Sequence, residues 1–243
     1  MQAILYVCHG SRVAEGRRQA VSFVEQCQES VDAPIQEICF LELADPTIEQ
    51  GITACVEKGA THIAVIPILL LTATHAKHDI PEEVDNMKSR YPHVHFQYGA
   101  PFGVHRRIVD ILVERIQEQG KRIEDDDMIL LVGRGSSDPD VKKSFASIEG
   151  YVQAKTGVHH IQTCFLAAAD PSFEEGLEIA KQSQAKRVFV LPYLLFTGVL
   201  MGEMTEAIEA LDTHKEFVLC QYLGYHDNLR DVLQDRVKEA INA

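Results

Sequence analysis

The sequence contains an internal repeat that relates its two halves, and this duplication constrains the fold more than any other feature of the sequence. Three segments recur in the second half: ILYVCHGS as ILLVGRGS, CFLELADPTIEQG as CFLAAADPSFEEG, and VIPILLLT as VLPYLLFT. All three matches share one offset of 125 residues, which aligns His9 with Arg134, Asp45 with Asp170 and Thr72 with Thr197. Three matches at one offset indicate duplicated domains. We therefore predict one domain over residues 1–121 and a second over residues 122–243.

Each half alternates apolar, β-rich runs with segments of helical spacing. Nearly continuous hydrophobicity is typical of parallel strands that are covered on both faces. Asp45 followed by Pro46 is typical of a helix N-cap and first helical residue. The pattern predicts two doubly wound α/β domains, each a four-stranded parallel sheet flanked by helices. The predicted strands are Ala3–Cys8, Ile35–Leu41, His62–Leu70 and Val94–Tyr98, then Met128–Val132, His160–Leu166, Arg187–Leu195 and Phe217–Tyr222.

Charge and composition exclude several classes of function. A net charge of -13 argues against binding of duplex nucleic acid, which needs a basic face. The longest apolar run, residues 63–71, is too short to span a bilayer, and no signal-like segment begins the chain. Six scattered cysteines without C-x-x-C spacing indicate reduced, buried thiols. We expect a cytoplasmic globular protein that binds neither membrane nor nucleic acid.

Candidate metal ligands follow three of the predicted strands in the first half. Ligands bind such sheets beyond the carboxyl ends of the strands, where His9, Glu42 and His75 lie. Imidazole nitrogen and carboxylate oxygen suit Fe, Co, Ni or Zn, and a few protein ligands leave positions open for catalysis. In the second half these residues become Arg134, Ala167 and Leu200, so the fold is repeated and the donor set is not.

The loops after the first strand of each half are candidate anion sites. CHGSR and GRGSS each join a strand to a helix, so their backbone N–H groups can cradle an anion. Neither is a Walker A loop or a dinucleotide fingerprint, which favours carboxylates over nucleotides. The residues predicted to bind substrate, at or near the carboxyl ends of the strands, are Ser11, Arg12, Lys77, His78, Arg134 and Ser136.

These motifs resemble those of the sirohydrochlorin chelatases, the class II chelatases of the SirB and CbiX type. The resemblance rests on HGSR, FLELADPT and PILLLTATHAKHDIP, and it covers the whole chain because the family has a duplicated two-domain form. It implies insertion of a divalent metal into sirohydrochlorin, a tetrapyrrole with eight carboxylates, on the route to sirohaem or cobalamin. It also implies that His9 and His75 bind the metal and that Glu42 is their acidic partner. The metal is then a substrate, and no permanently bound cofactor is expected.

The resemblance leaves the metal and the exact role open. Some long cobalt chelatases carry a histidine-rich segment and a C-terminal iron–sulfur motif; this sequence shows neither, which favours Fe²⁺ over Co²⁺ or Ni²⁺. The alternatives are a cobaltochelatase, a non-catalytic metal or tetrapyrrole carrier, and a two-domain phosphate or nucleotide enzyme. A wide, flat substrate needs a broad slot, so we expect the second domain to form the opposite wall of a cleft. Arg134 then serves better than an imidazole, because that wall meets carboxylates.

Overall fold

A computed structural model describes residues 1–196 and 199–242 of the chain. Thr197, which aligns with Thr72 in the repeat, lies outside the described residues. Within these residues, no helix combines the length and the apolar character needed to cross a bilayer.

Eight strands and eight α-helices alternate along the part of the chain that the structure describes. The first half contains β1 (Gln2–Cys8), α1 (Ala14–Gln28), β2 (Ile35–Phe40), α2 (Ile48–Glu57), β3 (His62–Ile68), a π-helical turn (His75–Asp79), α3 (Ile80–Arg90), β4 (His95–Tyr98) and α4 (Arg106–Gln117). The second half contains β5 (Met128–Gly133), α5 (Pro139–Thr156), β6 (His160–Phe165), α6 (Phe173–Gln182), β7 (Arg187–Tyr193), α7 (Val199–Glu209), β8 (Glu216–Leu219) and α8 (Asp227–Ile241).

The strands form two separate parallel sheets of four strands each. Their orders are β2-β1-β3-β4 and β6-β5-β7-β8, so the two sheets have the same topology. Both faces are covered: Leu5 and Tyr6 point to opposite sides of β1, and both are fully buried. Leu5 packs in a core with Ile52 of α2 and Val84 of α3. The predicted fold class, two duplicated α/β domains with parallel sheets, is confirmed.

The compact units differ from the sequence halves at their final helices. One unit contains Met1–Gly103 together with Asp227–Ala243, and the other contains Val104–His226. Helix α8 therefore packs on β3, β4 and α1, while α4 packs on α5 and β7. The boundary predicted between residues 121 and 122 follows the repeat in the sequence, whereas packing assigns each final helix to the other half's sheet.

One arginine on each of these two helices, α4 and α8, bonds to the unit in which the helix packs. Arg236 of α8 donates from Nη2 to the carbonyl of Phe102 at 2.9 Å. Arg115 of α4 donates from Nε to the carbonyl of Tyr222 at 2.9 Å and from Nη2 to that of Leu223 at 2.8 Å. These bonds engage carbonyls in the loops that follow β4 and β8, and each joins a helix to the loop beside it.

Helix α2 begins later than the sequence pattern predicts. Its N-cap is Thr47, whose hydroxyl accepts from the Gln50 N–H in a capping box, and the helix begins at Ile48. The Asp45–Pro46 peptide bond is cis, and the Pro46 carbonyl accepts from the Phe40 N–H at 2.8 Å. The prediction of Asp45 as N-cap and Pro46 as first helical residue was wrong, because this turn belongs to the loop. Residues 41–47 are thereby left as a loop at the carboxyl end of β2.

Candidate metal centre

Backbone pairing beyond the end of the sheet brings Glu42 to His9. His9 directly follows β1, and the Leu41 N–H donates to the Cys8 carbonyl at 2.9 Å. The next residue continues the pairing, since the Glu42 N–H donates to the His9 carbonyl at 3.1 Å. The side chains then meet, with His9 Nδ1 lying 3.7 Å from Glu42 Oε1.

Gly10 allows the two loops to approach this closely. Its φ is +96°, and a Cβ atom there would lie 1.7 Å from the carbonyl oxygen of Glu42. A side chain would therefore collide with backbone and would also be strained by the positive φ. The glycine of the HGS motif is explained by this contact as much as by any anion in the loop.

His75 reaches the same point from the π-helical turn that precedes α3. The turn is closed by the Ile80 N–H, which donates to the His75 carbonyl. Tyr98, the last residue of β4, donates from its hydroxyl to the Ala76 carbonyl at 2.9 Å. The imidazole of His75 lies edge-on to that of His9, with ring centroids 4.8 Å apart and planes at 88°. Single π-helical turns are often found at functional sites, where they redirect a side chain.

His9, Glu42 and His75 together form a candidate metal site. One potential ligand atom from each lies within 4.8 Å of the others, and no second such group of three occurs among the residues that the structure describes. The side chains are 43%, 47% and 39% exposed, so a metal held here stays open to solvent or substrate. Three ligands from three strand ends match the open coordination of catalytic rather than structural metals.

A second carboxylate holds the ring of His75. Nδ1 of His75 lies 2.6 Å from Oδ2 of Asp79, four residues along the π-helical turn. Because Nδ1 is engaged by Asp79, Nε2 is the nitrogen that His75 can offer to a metal. The sequence analysis missed Asp79 and Tyr98. Asp79 could have been found only by assuming that residues 75–79 are helical, and the Tyr98 contact joins distant segments.

Cys8 does not belong to this group, although it precedes His9. Its side chain is almost entirely buried, and burial raises the pKa of the Cys8 thiol to about 12. The thiolate that a metal requires is therefore disfavoured.

The predicted substrate-binding residues of the first half lie two or three residues after His9 or His75 in the chain. Ser11 is half-buried, and its hydroxyl accepts from the Val13 N–H at 3.1 Å, although its own proton stays available to donate. Arg12 and His78 are exposed, whereas Lys77 is half-buried. The guanidinium of Arg17 holds the loop by donating to the Ser11 and Arg12 carbonyls at 2.7 and 3.2 Å.

The second copy keeps the loop framework and changes the side chains. The Ala167 N–H donates to the Arg134 carbonyl at 3.0 Å, as Glu42 does to His9. Gly135 has a φ of +89°, and a Cβ there would lie 1.7 Å from the Ala167 carbonyl oxygen. The Ser136 hydroxyl accepts from the Asp138 N–H at 3.1 Å, and Arg134 is exposed. Two of the three donors, His9 and Glu42, thus have no counterparts on a loop backbone that could have positioned them.

Comparison with known proteins gives consistent matches along the whole chain. The CbiX family model matches residues 3–119 and again 128–240. The sirohydrochlorin ferrochelatase of Priestia megaterium is 57% identical over 244 residues, covering 100% of this chain and 92% of that protein. A sirohydrochlorin cobaltochelatase of the same organism is 40% identical, covering 99% and 80%.

A solved structure agrees in fold as well as in sequence. SirB from Bacillus subtilis with Fe³⁺ superposes with a TM-score of 0.91 at 44% identity, covering 99% of this chain and 96% of that one. The two family matches coincide with the two copies of the repeat, each of which carries a four-stranded parallel sheet. The chain belongs to the CbiX family in its duplicated form.

Proposed function

We propose that this protein is a sirohydrochlorin ferrochelatase, which inserts Fe²⁺ into sirohydrochlorin. The observation that carries the proposal is the 57% identity, over the full chain, with the ferrochelatase of P. megaterium. The clustering of His9, Glu42 and His75 supports it, because this donor set suits a borderline divalent metal.

The triad can divide the reaction into metal delivery and proton removal. Metallation replaces two pyrrole N–H protons by one divalent cation, so two protons leave for each metal inserted. Neutral imidazoles of His9 and His75 present the metal, with open positions facing the macrocycle. The carboxylate of Glu42, 3.7 Å from His9 and 47% exposed, takes the pyrrole protons and passes them to water.

Polar and basic residues around the triad bind the carboxylates of the substrate in this proposal. Arg12, Lys77 and His78 offer positive charge or N–H donors on a chain whose net charge is -13. Ser11 adds a hydroxyl donor beside them. From the second copy, Arg134 and Ser136 bind further carboxylates, for which a guanidinium is better suited than an imidazole. Residues 122–243 therefore act as a substrate-binding domain.

Iron is proposed over cobalt because the ferrochelatase relative is closer in sequence than the cobaltochelatase. The identities are 57% and 40%, both over nearly the whole chain. We further propose that the reaction takes place in the cytoplasm, since all six cysteines are unpaired, as in reducing compartments.

The test is anaerobic metallation of sirohydrochlorin, followed by the change in its visible absorption. Catalytic amounts of protein are compared with Fe²⁺, Co²⁺ and Ni²⁺ at matched concentrations. We expect turnover to be fastest with Fe²⁺, and His75→Ala to lower it by about 100-fold or more, since loss of a metal ligand costs several kcal/mol. The control is His62→Ala, an exposed histidine at the amino end of β3, the strand that precedes the π-helical turn.

Each result separates the candidate functions. Turnover by His75→Ala at the wild-type rate would refute the proposed metal site. Metal or tetrapyrrole binding without turnover would indicate a carrier, and preference for Co²⁺ would indicate the cobaltochelatase.

A further inference from the structure

Asp79 makes a short polar contact with one member of the triad. Its Oδ2 lies 2.6 Å from Nδ1 of His75, while His9 Nδ1 and Glu42 Oε1 are 3.7 Å apart. A carboxylate at neutral pH can only accept hydrogen bonds. The contact is therefore made by a proton on Nδ1 of His75, which Asp79 accepts.

The local fold does not require a carboxylate at this position. Asp79 is the N-cap of α3, a position where aspartate usually accepts from the first helical N–H groups, but its side chain makes no capping hydrogen bond. The neighbouring Ile80 anchors the helix, because it is fully buried in the core of the first unit, as Met204 is in the core of the second. The helix is therefore held by the apolar residue that follows Asp79 and not by the carboxylate.

The imidazole and the π-helical turn are present or absent together. Where the first copy has His75, the second has Leu200. The aligned segment of the second copy begins the regular helix α7 at Val199, whereas the first copy forms a π-helical turn. The imidazole and the turn that holds it are therefore features of the copy with the donor set.

We propose that Asp79 is a positioning residue that holds His75 as its Nδ1–H tautomer and so directs the Nε2 lone pair to the metal substrate. The proposal rests on the proposed function for the identity of that substrate, but its structural part stands on the two side chains alone. Without the carboxylate, the proton of neutral imidazole can move to Nε2, which then cannot bind a metal. Carboxylates that orient metal-binding histidines in this way are a general feature of metal sites.

The competing explanation is an ordinary ion pair on a helix surface. His75 and Asp79 are four residues apart and are 39% and 42% exposed, as such pairs often are. An ion pair of that kind would leave the tautomer of neutral His75 and the affinity for a metal almost unchanged when it is removed. The two explanations therefore differ in what the metal-free imidazole does and in how tightly a metal binds.

The experiment measures both quantities in the full-length protein. The variants are Asp79→Ala, which removes the acceptor, and Asp79→Asn, which keeps an acceptor oxygen but adds an N–H₂ donor. Asp85→Asn is the matched control, because it loses the same charge on α3 from an exposed residue that pairs with Lys88. The tautomer of His75 is read from two-bond ¹H–¹⁵N correlations of metal-free protein at about pH 8, above the reference imidazole pKa of about 6.5. The signals are assigned with His75→Ala.

We expect His75 of the wild type and of Asp85→Asn to be protonated at Nδ1, and His75 of Asp79→Ala to shift toward Nε2–H. Co²⁺ titrations, followed by the visible absorption of the bound ion, should give affinity reduced by roughly 10- to 100-fold in Asp79→Ala. Asp79→Asn should fall between Asp79→Ala and the wild type, since its amide oxygen can still accept from Nδ1–H.

The outcomes distinguish this inference from the proposed function. An unchanged tautomer in Asp79→Ala, or Co²⁺ affinity within twofold of Asp85→Asn, would overturn the inference and leave the chelatase proposal intact. If instead the wild type fails to metallate sirohydrochlorin while the tautomer and Co²⁺ affinity depend on Asp79, the function fails and the positioning role stands.

Discussion

Gly10 and Gly135 show how one residue type serves both copies while only one copy carries the donor set. Both have positive φ and lie where a Cβ would approach a facing carbonyl oxygen to 1.7 Å. The carbonyl belongs to Glu42 in the first copy and to Ala167 in the second. The glycines are thus part of the fold, and the chemistry depends on the residues around them.

Replacing each glycine by alanine should separate stability from metal binding. We expect Gly10→Ala and Gly135→Ala to lower the free energy of unfolding by similar amounts, at least the roughly 1–3 kcal/mol of positive-φ strain. Only Gly10→Ala moves Glu42 away from His9, so only it should weaken Co²⁺ binding. Chemical denaturation and Co²⁺ titration measure the two effects. Equal loss of Co²⁺ affinity in both variants would contradict the assignment of the metal site to the first copy.

The sequence was informative about residues that differ between aligned positions. His9, Glu42 and His75 were identified because they follow strands and are replaced by Arg134, Ala167 and Leu200. The structure brings their ligand atoms together, although their roles stay a prediction. Asp79 could not be found in this way, because its significance depends on a hydrogen bond within a turn whose helical form the sequence does not reveal.

At the scale of elements, the π-helical turn departs from the α-helical geometry of the helices around it. It is fastened from outside by Tyr98, whose hydroxyl donates to the Ala76 carbonyl at 2.9 Å. Burial raises the pKa of the Tyr98 hydroxyl above its usual value, so it stays protonated and able to donate. In the second copy the equivalent residue is Leu219, which pairs with Val190 as Tyr98 pairs with Val65, and the segment that follows β7 forms the regular helix α7. The polar contact accompanies the unusual turn.

We predict that Tyr98→Phe loosens this turn without unfolding the protein. Loss of one hydrogen bond costs about 0.5–1.5 kcal/mol, which corresponds to amide exchange roughly 2- to 10-fold faster in the turn. Hydrogen–deuterium exchange of peptides covering residues 75–80 measures this rate. Tyr91→Phe is the control. Tyr91 follows the last residue of α3, far from the turn, and its hydroxyl makes a 3.4 Å contact with Thr53 of α2. Unchanged exchange in the turn would show that Tyr98 does not hold it.

Strands were easier to predict than the elements that follow them. Buried parallel strands require continuous apolar residues, so β1 and β5 are evident from their sequences. The predicted start of α2 was too early. Asp45 followed by Pro46 matches the pattern of a helix N-terminus, but in the structure the two residues form a cis peptide bond in the loop before the N-cap, Thr47. Predicted strands also extended too far: β3 ends at Ile68 rather than Leu70, since apolar residues continue into the loop.

At the scale of the whole molecule, packing departs from the order of the sequence. Helix α8 belongs to the second copy by sequence and to the first unit by contact. It buries Leu229, Val232, Leu233 and Val237. No local pattern could have predicted this, because an amphipathic helix shows which face it buries and not which sheet receives it.

We predict that a chain ending at His226 loses the structure of the first unit. Each of the four buried side chains contributes about 1.5–3 kcal/mol, or roughly 6–12 kcal/mol together, which is comparable with the net stability of a domain. Circular dichroism and binding of a hydrophobic dye measure the loss, and a chain ending at Ile241 is the control. A cooperative melt and Co²⁺ affinity equal to those of the control would contradict the assignment of α8 to the first unit.

The packing of α8 on the first unit also affects the order in which the two units are completed during translation. The ribosome makes the three candidate metal ligands early, but α8 is synthesised only after every residue of the second unit. Until then β3 and β4 of the nascent chain lack the helix that covers one of their faces. The unit that carries the candidate metal ligands is therefore begun first and completed last, and a chain terminated before α8 would lack the helix that packs on β3 and β4.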